Sequence, residues 1–328
     1  MGLTNFPNGL TSFGSVVNGI DAPPAGREFY VRQTSDTGYE AWKNDMQHTV
    51  RGGGNSVHTT IESALAAAAD WDTIWVWPGF YEPAADLEIT QKGLRLLAVQ
   101  TGPLLAMSST MIYACGTAAC DPVINIKASN VEVAGFRIYP YLSGTAVGIF
   151  IAPTVSAYGS WIHDNIFYVV PEGLSGLMPT NIWVGNAAFA ASYTLIEDNY
   201  FFCGGNFTAE TGMIQVETAT RSVIRRNHFN IISNQTTQAA IKIATGSGAL
   251  TSPKQRIWIL DNLFFGAELD VNAMVCYGVL FADTVYAGDC MADGNKSVNI
   301  AAPFSSLYTT MLGLNYINGV AIVATGTA

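Results

Sequence analysis

Ile162-His163-Asp164-Asn165-Ile166-Phe167 returns as Ile196-Glu197-Asp198-Asn199-Tyr200-Phe201, Ile224-Arg225-Arg226-Asn227-His228-Phe229 and Ile259-Leu260-Asp261-Asn262-Leu263-Phe264. The four copies share I-x-x-N-x-F and begin 34, 28 and 35 residues apart. An imperfect copy precedes them, Val133-Ala134-Gly135-Phe136-Arg137-Ile138, with Phe136 where the others carry Asn. A second short apolar segment comes before each copy: Val123-Ile124-Asn125-Ile126, Gly148-Ile149-Phe150-Ile151, Asn181-Ile182-Trp183-Val184, Met213-Ile214-Gln215-Val216 and Ala240-Ile241-Lys242-Ile243. Alternation with period two marks these as strands, and the Gly, Ser, Thr, Asn and Pro between them mark turns. A repeat this short is too small for a domain and the right size for one coil of a parallel β solenoid.

No single coil buries its own Ile, Val and Phe side chains. Stacked at the strand spacing of about 4.8 Å, coils share one continuous core. The repeated Asn165, Asn199, Asn227 and Asn262 then form a column at an inward corner, where each amide satisfies the next and no buried polar group is left over. Alternation also fixes what points outward. Phe150, Trp183, Gln215, Lys242 and Leu280 fall in one outward column, and Ile166, Tyr200, His228 and Leu263 in another. Apolar residues stacked outward over several rungs form a patch that monomers rarely expose. Phe150, Trp183, Ile166, Tyr200 and Leu263 are therefore the expected contacts of a subunit interface; a sugar-stacking platform is the alternative.

Composition narrows the function classes. The chain has 328 residues, 49% hydrophobic but only 12% charged, and a net charge of −10. Soluble domains average about 25% charged residues, so the surface is expected to be uncharged polar or covered by other subunits. The acidic balance offers no phosphate-neutralising face, and a nucleic-acid partner is not expected. Nor does any stretch of 18 or more apolar residues suggest a membrane span. The first basic residue is Arg27, so residues 1–20 lack the charged start of a secretory signal and synthesis in a host cytoplasm is expected. Five cysteines, Cys115, Cys120, Cys203, Cys276 and Cys290, include no CxxC pair and read as free thiols; Cys115 and Cys120 alone are close enough in sequence to bridge one loop.

Upstream, Thr59-Thr60-Ile61-Glu62-Ser63-Ala64-Leu65 opens a short helix, followed by Asp72-Thr73-Ile74-Trp75-Val76-Trp77-Pro78-Gly79-Phe80-Tyr81 and the strand Leu94-Arg95-Leu96. This succession resembles the opening of right-handed parallel β-helix proteins of the pectin-lyase-like superfamily. The fold class expected is accordingly all-β, a single-stranded right-handed parallel β-helix with a capping helix that shields its first edge. The superfamily contains lyases, hydrolases and phage adhesins, so the resemblance bears on fold more than on activity. Leu3-Thr4-Asn5-Phe6-Pro7-Asn8-Gly9-Leu10-Thr11-Ser12-Phe13-Gly14 resembles the leader of tailed-bacteriophage virion proteins, in which a short arm precedes a β-helix. That resemblance implies a virion location on the capsid surface, a three-fold assembly, and attachment to the major capsid protein or another virion protein through Phe6, Leu10 and Phe13. Three segments are expected: an attachment arm over 1–57, the β-helix over 58–300 and a closing segment over 301–328.

Chemistry is sparsely signalled. Pectate-lyase-like acid clusters and polygalacturonase-like G-H-G and R-I-K strings are missing. Asp164, Asp198, Arg226 and Asp261 share one column, with His163, Glu197 and Arg225 beside it. Asp164 and Asp198 on adjacent rungs are the one candidate catalytic pair, at a separation retaining glycosidases use; a charge-compensated ladder around Arg226 accounts for the column equally well. His58, His163 and His228 are not spaced as metal ligands, so neither metal nor cofactor is expected. The reading favours a trimeric capsid-decoration protein. A tailspike-like binder or depolymerase of host surface polysaccharide is the alternative.

Overall fold

A computed structural model describes residues 26–49, 56–99, 110–113, 121–140, 146–169, 180–204, 212–232, 239–243, 257–266, 274–281, 290–298, 300–304, 314–317 and 320–323. The chain winds through three long sheets. Sheet one carries ten strands, among them Thr73–Val76, Arg95–Ala98, Glu132–Ala134, Trp161–His163, Leu195–Glu197, Ser222–Arg225, Ile257–Leu260 and Met291–Asp293. Sheet two runs from Gly79–Tyr81 through Arg137–Tyr139, Ile166–Val169, Tyr200–Gly204, His228–Ile232 and Leu263–Gly266 to Val320–Val323. Sheet three has eight strands, from Leu87–Ile89 through Val147–Ile151 and Thr180–Val184 to Ile300–Phe304. Apart from Val320–Val323, the strands pair in parallel with their counterparts on adjacent coils, as Ile162 with Val133 and Ile196. The all-β parallel β-helix expected from the repeat is the fold observed.

The inward residues stack by type. Ile162, Ile196, Ile224 and Ile259 are essentially fully buried, as are Phe167, Phe201, Phe229 and Phe264. The four Phe rings stack at centroid separations of 4.9, 4.7 and 5.2 Å. Burying a large apolar side chain contributes about 1.5–3 kcal/mol. Identical residues on successive rungs lie one over the next, with the Phe rings 5°, 7° and 23° from parallel.

Between sheets one and two the chain turns in two residues. The first adopts left-handed backbone: Gly135 (φ 84°), Asp164 (55°), Asp198 (55°), Arg226 (53°), Asp261 (53°) and Gly294 (68°). Gly takes this conformation freely and Asp tolerates it, whereas most side chains are strained there. The Asp-rich column thus has a backbone reason that the sequence reading did not assign. The second residue of the turn is the ladder asparagine. The Asn165 amide Nδ2 donates to Asn199 Oδ1 at 3.2 Å, Asn199 to Asn227 at 3.0 Å and Asn227 to Asn262 at 3.1 Å. The ladder then continues to Asn295, which accepts from Asn262 at 3.0 Å; the motif there is Met291-Ala292-Asp293-Gly294-Asn295, disguised by the missing Ile. Each Oδ1 also takes the backbone N–H of the coil before it, beginning with Phe136 N to Asn165 Oδ1 at 3.1 Å. Phe136 is fully buried, so the column starts on a ring and becomes polar one coil later.

The N-terminal boundary lies earlier than 58. Within the segment expected to be an arm, Glu28–Val31 is a strand of sheet one, between Val57–His58 and Thr73–Val76, and Tyr39–Thr49 is a helix. Asp72 fixes this strand, accepting from the Arg27 backbone N–H at 2.6 Å and its guanidinium at 2.9 Å. Four residues of alternation are too few to announce a strand, which is why Glu28-Phe29-Tyr30-Val31 passed as arm. The capping helix is Ile61–Ala67, with the Thr60 hydroxyl accepting from Ser63 N and Ile61, Ala64 and Leu65 facing the core. At the other end the coils run past 300. Leu314–Ile317 adds in parallel to Lys296–Val298, and Val320–Val323 folds back antiparallel on it. Phe6, Leu10, Phe13, Cys115 and Cys120 lie outside the described residues.

Two predictions follow from the turn. Asn199→Leu strips partners from the Asn165 amide and from the Ile162, Glu197 and Asn227 oxygens. At about 1–3 kcal/mol for a buried polar group left unpaired, denaturant titration should show a loss of at least that size. At Asp261, φ 53°, Asp261→Gly should hold or raise the melting temperature. Asp261→Val should lower it, by about 1–2 kcal/mol of backbone strain.

Candidate functional site

A groove of about 520 Å³ lies over the outer face of sheet two, lined by Arg137, Tyr168, Tyr200 and Phe202 and bordered at the turn by Asp164 and Asp198. Two outward columns run along this face, and the groove is lined by Arg137, Ile166, Tyr200 and His228 of one and Tyr168 and Phe202 of the other. In the first, Arg137, Ile166, Tyr200, His228 and Leu263 are paired rung to rung. In the second, two residues further along each strand, Tyr113, Tyr139, Tyr168 and Phe202 follow one another at centroid separations of 5.8, 5.5 and 4.9 Å. Sequence reasoning reached the first column from Ile166 onward and missed the second. The signal was the residue after each repeat's Phe, and it was passed over because the repeat was read only to its sixth position.

Arg137 occupies the rung below Ile166. It is only 9% exposed, and its guanidinium carbon lies 4.9 Å from the Tyr139 ring centre and 4.7 Å from that of Tyr168. Its Nε has no hydrogen-bond partner, and among the described residues no carboxylate pairs with it. Burial raises the Tyr139 phenol above its ordinary range, and the nearby Arg137 charge only partly opposes this. Burial also lowers the His228 imidazole, so at neutral pH both groups are uncharged hydrogen-bonding partners.

The carboxylates at the groove's edge are engaged. Arg226 donates from Nε to Asp198 Oδ1 at 2.9 Å and from a terminal nitrogen to Oδ2 at 2.6 Å, and it also reaches Glu197 at 2.5 Å. Glu197 is buried and takes two further bonds, from Arg225 Nε at 2.7 Å and Trp161 Nε1 at 2.9 Å. Arg226 thus turns to Asp198 and Glu197 rather than standing between Asp198 and Asp261. His163 bridges Asp164 Oδ2 at 2.8 Å and Glu132 Oε1 at 3.1 Å, and Arg95 completes the chain onto Glu132 at 2.5 Å. Burial by itself would depress His163 and raise Glu132. Asp164 and Glu132 on His163, and His163 and Arg95 on Glu132, reverse both directions through their hydrogen bonds and charges, pushing His163 up to about 9 and holding Glu132 below its usual range. Among the described residues no group of three or more His, Cys, Asp or Glu is placed to hold a metal ion.

The expected trimer contacts fall on two faces. Phe150 and Trp183 lie on sheet three with their rings stacked at 5.3 Å, whereas Ile166, Tyr200 and Leu263 lie on sheet two. Ile166 and Tyr200 line the groove itself. A further apolar strip, unanticipated, runs along sheet one through Trp161, Leu195, Val223, Trp258 and Met291, with Trp258 40% exposed.

No protein-family model matches the sequence, and no curated protein matches it either. Among solved structures, a pectin methylesterase in complex with a hexasaccharide aligns over 90% of both chains with a TM-score of 0.57 and 13% identity. Pectin methylesterase PemA from Erwinia chrysanthemi aligns over 90% of both chains with a TM-score of 0.55 and 12% identity. The chain is similar to these in fold: a right-handed parallel β-helix. A protein of Geobacillus virus E2 aligns over 78% of this chain and 57% of that one, at 12% identity and a TM-score of 0.45, an overlap too loose to bear on function.

The His163 bridge makes a testable contribution to stability. A His whose folded value is raised from 6.5 to about 9 stabilises fully below pH 6.5 and loses that contribution as the pH rises through 9. Thermal melts from pH 6 to 10 should therefore fall more steeply for the wild type than for His163→Gln, the two curves converging above pH 9.

Proposed function

We propose that this protein is a structural component of a tailed-phage virion, a trimeric outer-capsid decoration whose N-terminal residues bind the shell and whose β-helix projects from it. The observation that carries a packing and binding role over a hydrolytic one is the occupation of the acid column. Asp198 has both oxygens on Arg226, and Asp164 is held by His163, so neither carboxylate stands free to pass a proton to a substrate. The virion assignment rests on the leader that includes Phe6, Leu10 and Phe13, whose isolated apolar side chains suit grooves on a partner. Three copies multiply a weak contact into firm attachment.

In a ring of three, each copy meets its neighbours through two different surfaces. The open groove over Ile166 and Tyr200 argues against a dry contact there. The stacked Phe150 and Trp183 on one face and the strip from Trp161 to Met291 on another suit the two halves of such an interface. Trp183→Asp would then bury an unpaired charge, a change that commonly costs several kcal/mol. Light scattering at micromolar concentration should show a trimer for the wild type and a monomer for Trp183→Asp. Deleting residues 2–20 should leave a folded trimer that no longer incorporates into particles; wild-type occupancy by the truncated protein would overturn the attachment.

One observation favours the alternative of a polysaccharide depolymerase: the groove lies on a fold shared with pectin methylesterases, one of them holding a hexasaccharide. Release of reducing ends or unsaturated sugars from host surface polysaccharide, abolished by Asp198→Asn in a stably folded protein, would establish that reading.

A further inference from the structure

We propose that the groove on sheet two docks an extended acidic segment of a partner protein, with one Asp or Glu side chain reaching Arg137 and its apolar neighbours lying on Ile166, Tyr200 and Phe202. This adds a second contact surface to the N-terminal leader and does not rest on the virion role.

Arg137 is the central observation. A buried guanidinium without a counter-charge is costly, and proteins normally pair such a group or leave it in water. Arg27, Arg95, Arg225 and Arg226 all have carboxylate partners. Arg137 is more buried than any of them, at 9% exposed, and among the described residues no carboxylate pairs with it. The Tyr139 and Tyr168 rings lie 4.9 and 4.7 Å from its guanidinium carbon and attract the cation without supplying an anion. Its Nε is unused, so a carboxylate brought by a partner meets both a charge and an N–H. Of the other basic side chains in the lining, Arg226 is engaged by Asp198 and Glu197, and burial keeps His228 neutral. The groove therefore calls for one negative charge rather than a row of them.

The rest of the lining favours a polypeptide over a sugar acid or a small anion. Ile166, Tyr168, Tyr200 and Phe202 form an apolar and aromatic surface, and the two carboxylates beside them are bonded to His163 and Arg226. Few polar groups stand ready for a row of sugar hydroxyls. Apolar side chains laid on this surface gain about 25 cal/mol per Å² buried, and Tyr, Phe and Arg are the residues enriched at the centres of protein interfaces. Depth points the same way. The carboxylate of Asp or Glu stands on a slender flexible stem and can enter a recess, whereas that of a uronic acid is fixed to its ring. Spacing agrees as well. Ile166 and Tyr168 are two residues apart on one strand, and Tyr200 and Phe202 on the next, a separation of about 6.6 Å at roughly 3.3 Å per residue. Alternate side chains of an extended peptide running with the strands are equally far apart, so an acid beside Tyr168 and Arg137 sets an apolar residue over Ile166. A free phosphate or acetate would meet Arg137 and leave most of a 520 Å³ groove unfilled.

The test selects random dodecapeptides, displayed on yeast, on the immobilised full-length protein at low ionic strength. The selected sequences should share an Asp or Glu with a large apolar residue two positions away. A synthetic peptide of the leading sequence is then titrated calorimetrically. Changing its acid to the amide should weaken binding to the wild type at least tenfold. Arg137→Met should weaken the acid peptide as much and bind acid and amide alike, and Tyr200→Ala should weaken both. Selected peptides without an acid, an amide peptide that binds the wild type as tightly as the acid, or a folded Arg137→Met protein with undiminished affinity would each overturn the proposal. So would a selection that yields no binder, alone or with binding of hexa-galacturonate, which would make the groove a sugar site instead. The acid-to-amide comparison uses the wild type and holds even where a variant fails to fold. Particle incorporation after deletion of residues 2–20 reads the virion role separately, so either result stands without the other.

Discussion

Everything in this molecule depends on the requirement that one coil lie flat on the next at strand spacing. Parallel pairing satisfies the backbone along the three sheets. At the corner between sheets one and two it cannot, because the chain turns there and its N–H groups point along the axis into the protein. The asparagine column resolves this with one side chain per coil. Oδ1 takes the preceding coil's backbone N–H, and Nδ2 donates onward and back to main-chain carbonyls, as Asn199 does to Ile162 and Glu197. The left-handed residue immediately before each asparagine brings that side chain inward. The Phe stack and the Ile stack inherit their alignment from this corner.

The same constraint explains what the sequence made legible. Residues that must repeat for stacking, Ile162, Asn165, Phe167 and their counterparts, stand out in the chain because each coil faces the same demand. The fold and the ladder could therefore be read directly. Asn295 escaped because its coil has Ala292 in place of Ile. Glu28–Val31 escaped because a lone four-residue strand outside the repeat has no copies to announce it.

The groove was only half legible, for a different physical reason. Outward positions answer to water or to a partner, not to the neighbouring coil, so they vary from rung to rung. Ile166 and Tyr200 were found through their place beside the asparagines. Arg137 was not, since it sits in the imperfect copy, and its guanidinium packs against Tyr139 of its own strand and Tyr168 of the next, a relation visible only once the coils are stacked. Likewise Asp164 and Asp198 drew attention as adjacent acids, while the structure gives them a backbone duty and cationic partners.

The ladder asparagines follow one another at 34, 28, 35 and 33 residues, yet the bonds between them differ by no more than 0.2 Å. All the variation in coil length is absorbed outside the corner. Such a body can be lengthened or shortened only by whole turns, as a stack of washers is. An extra coil set between Asn227 and Asn262 would continue both the amide column and the Phe stack and would move the far end outward by one strand spacing. The same insertion between Phe136 and Asn165 would part Arg137 from Tyr168 and dismantle the groove. Growth of the solenoid is therefore open on one side of the groove and closed at the groove itself, which lets length change while that face stays fixed.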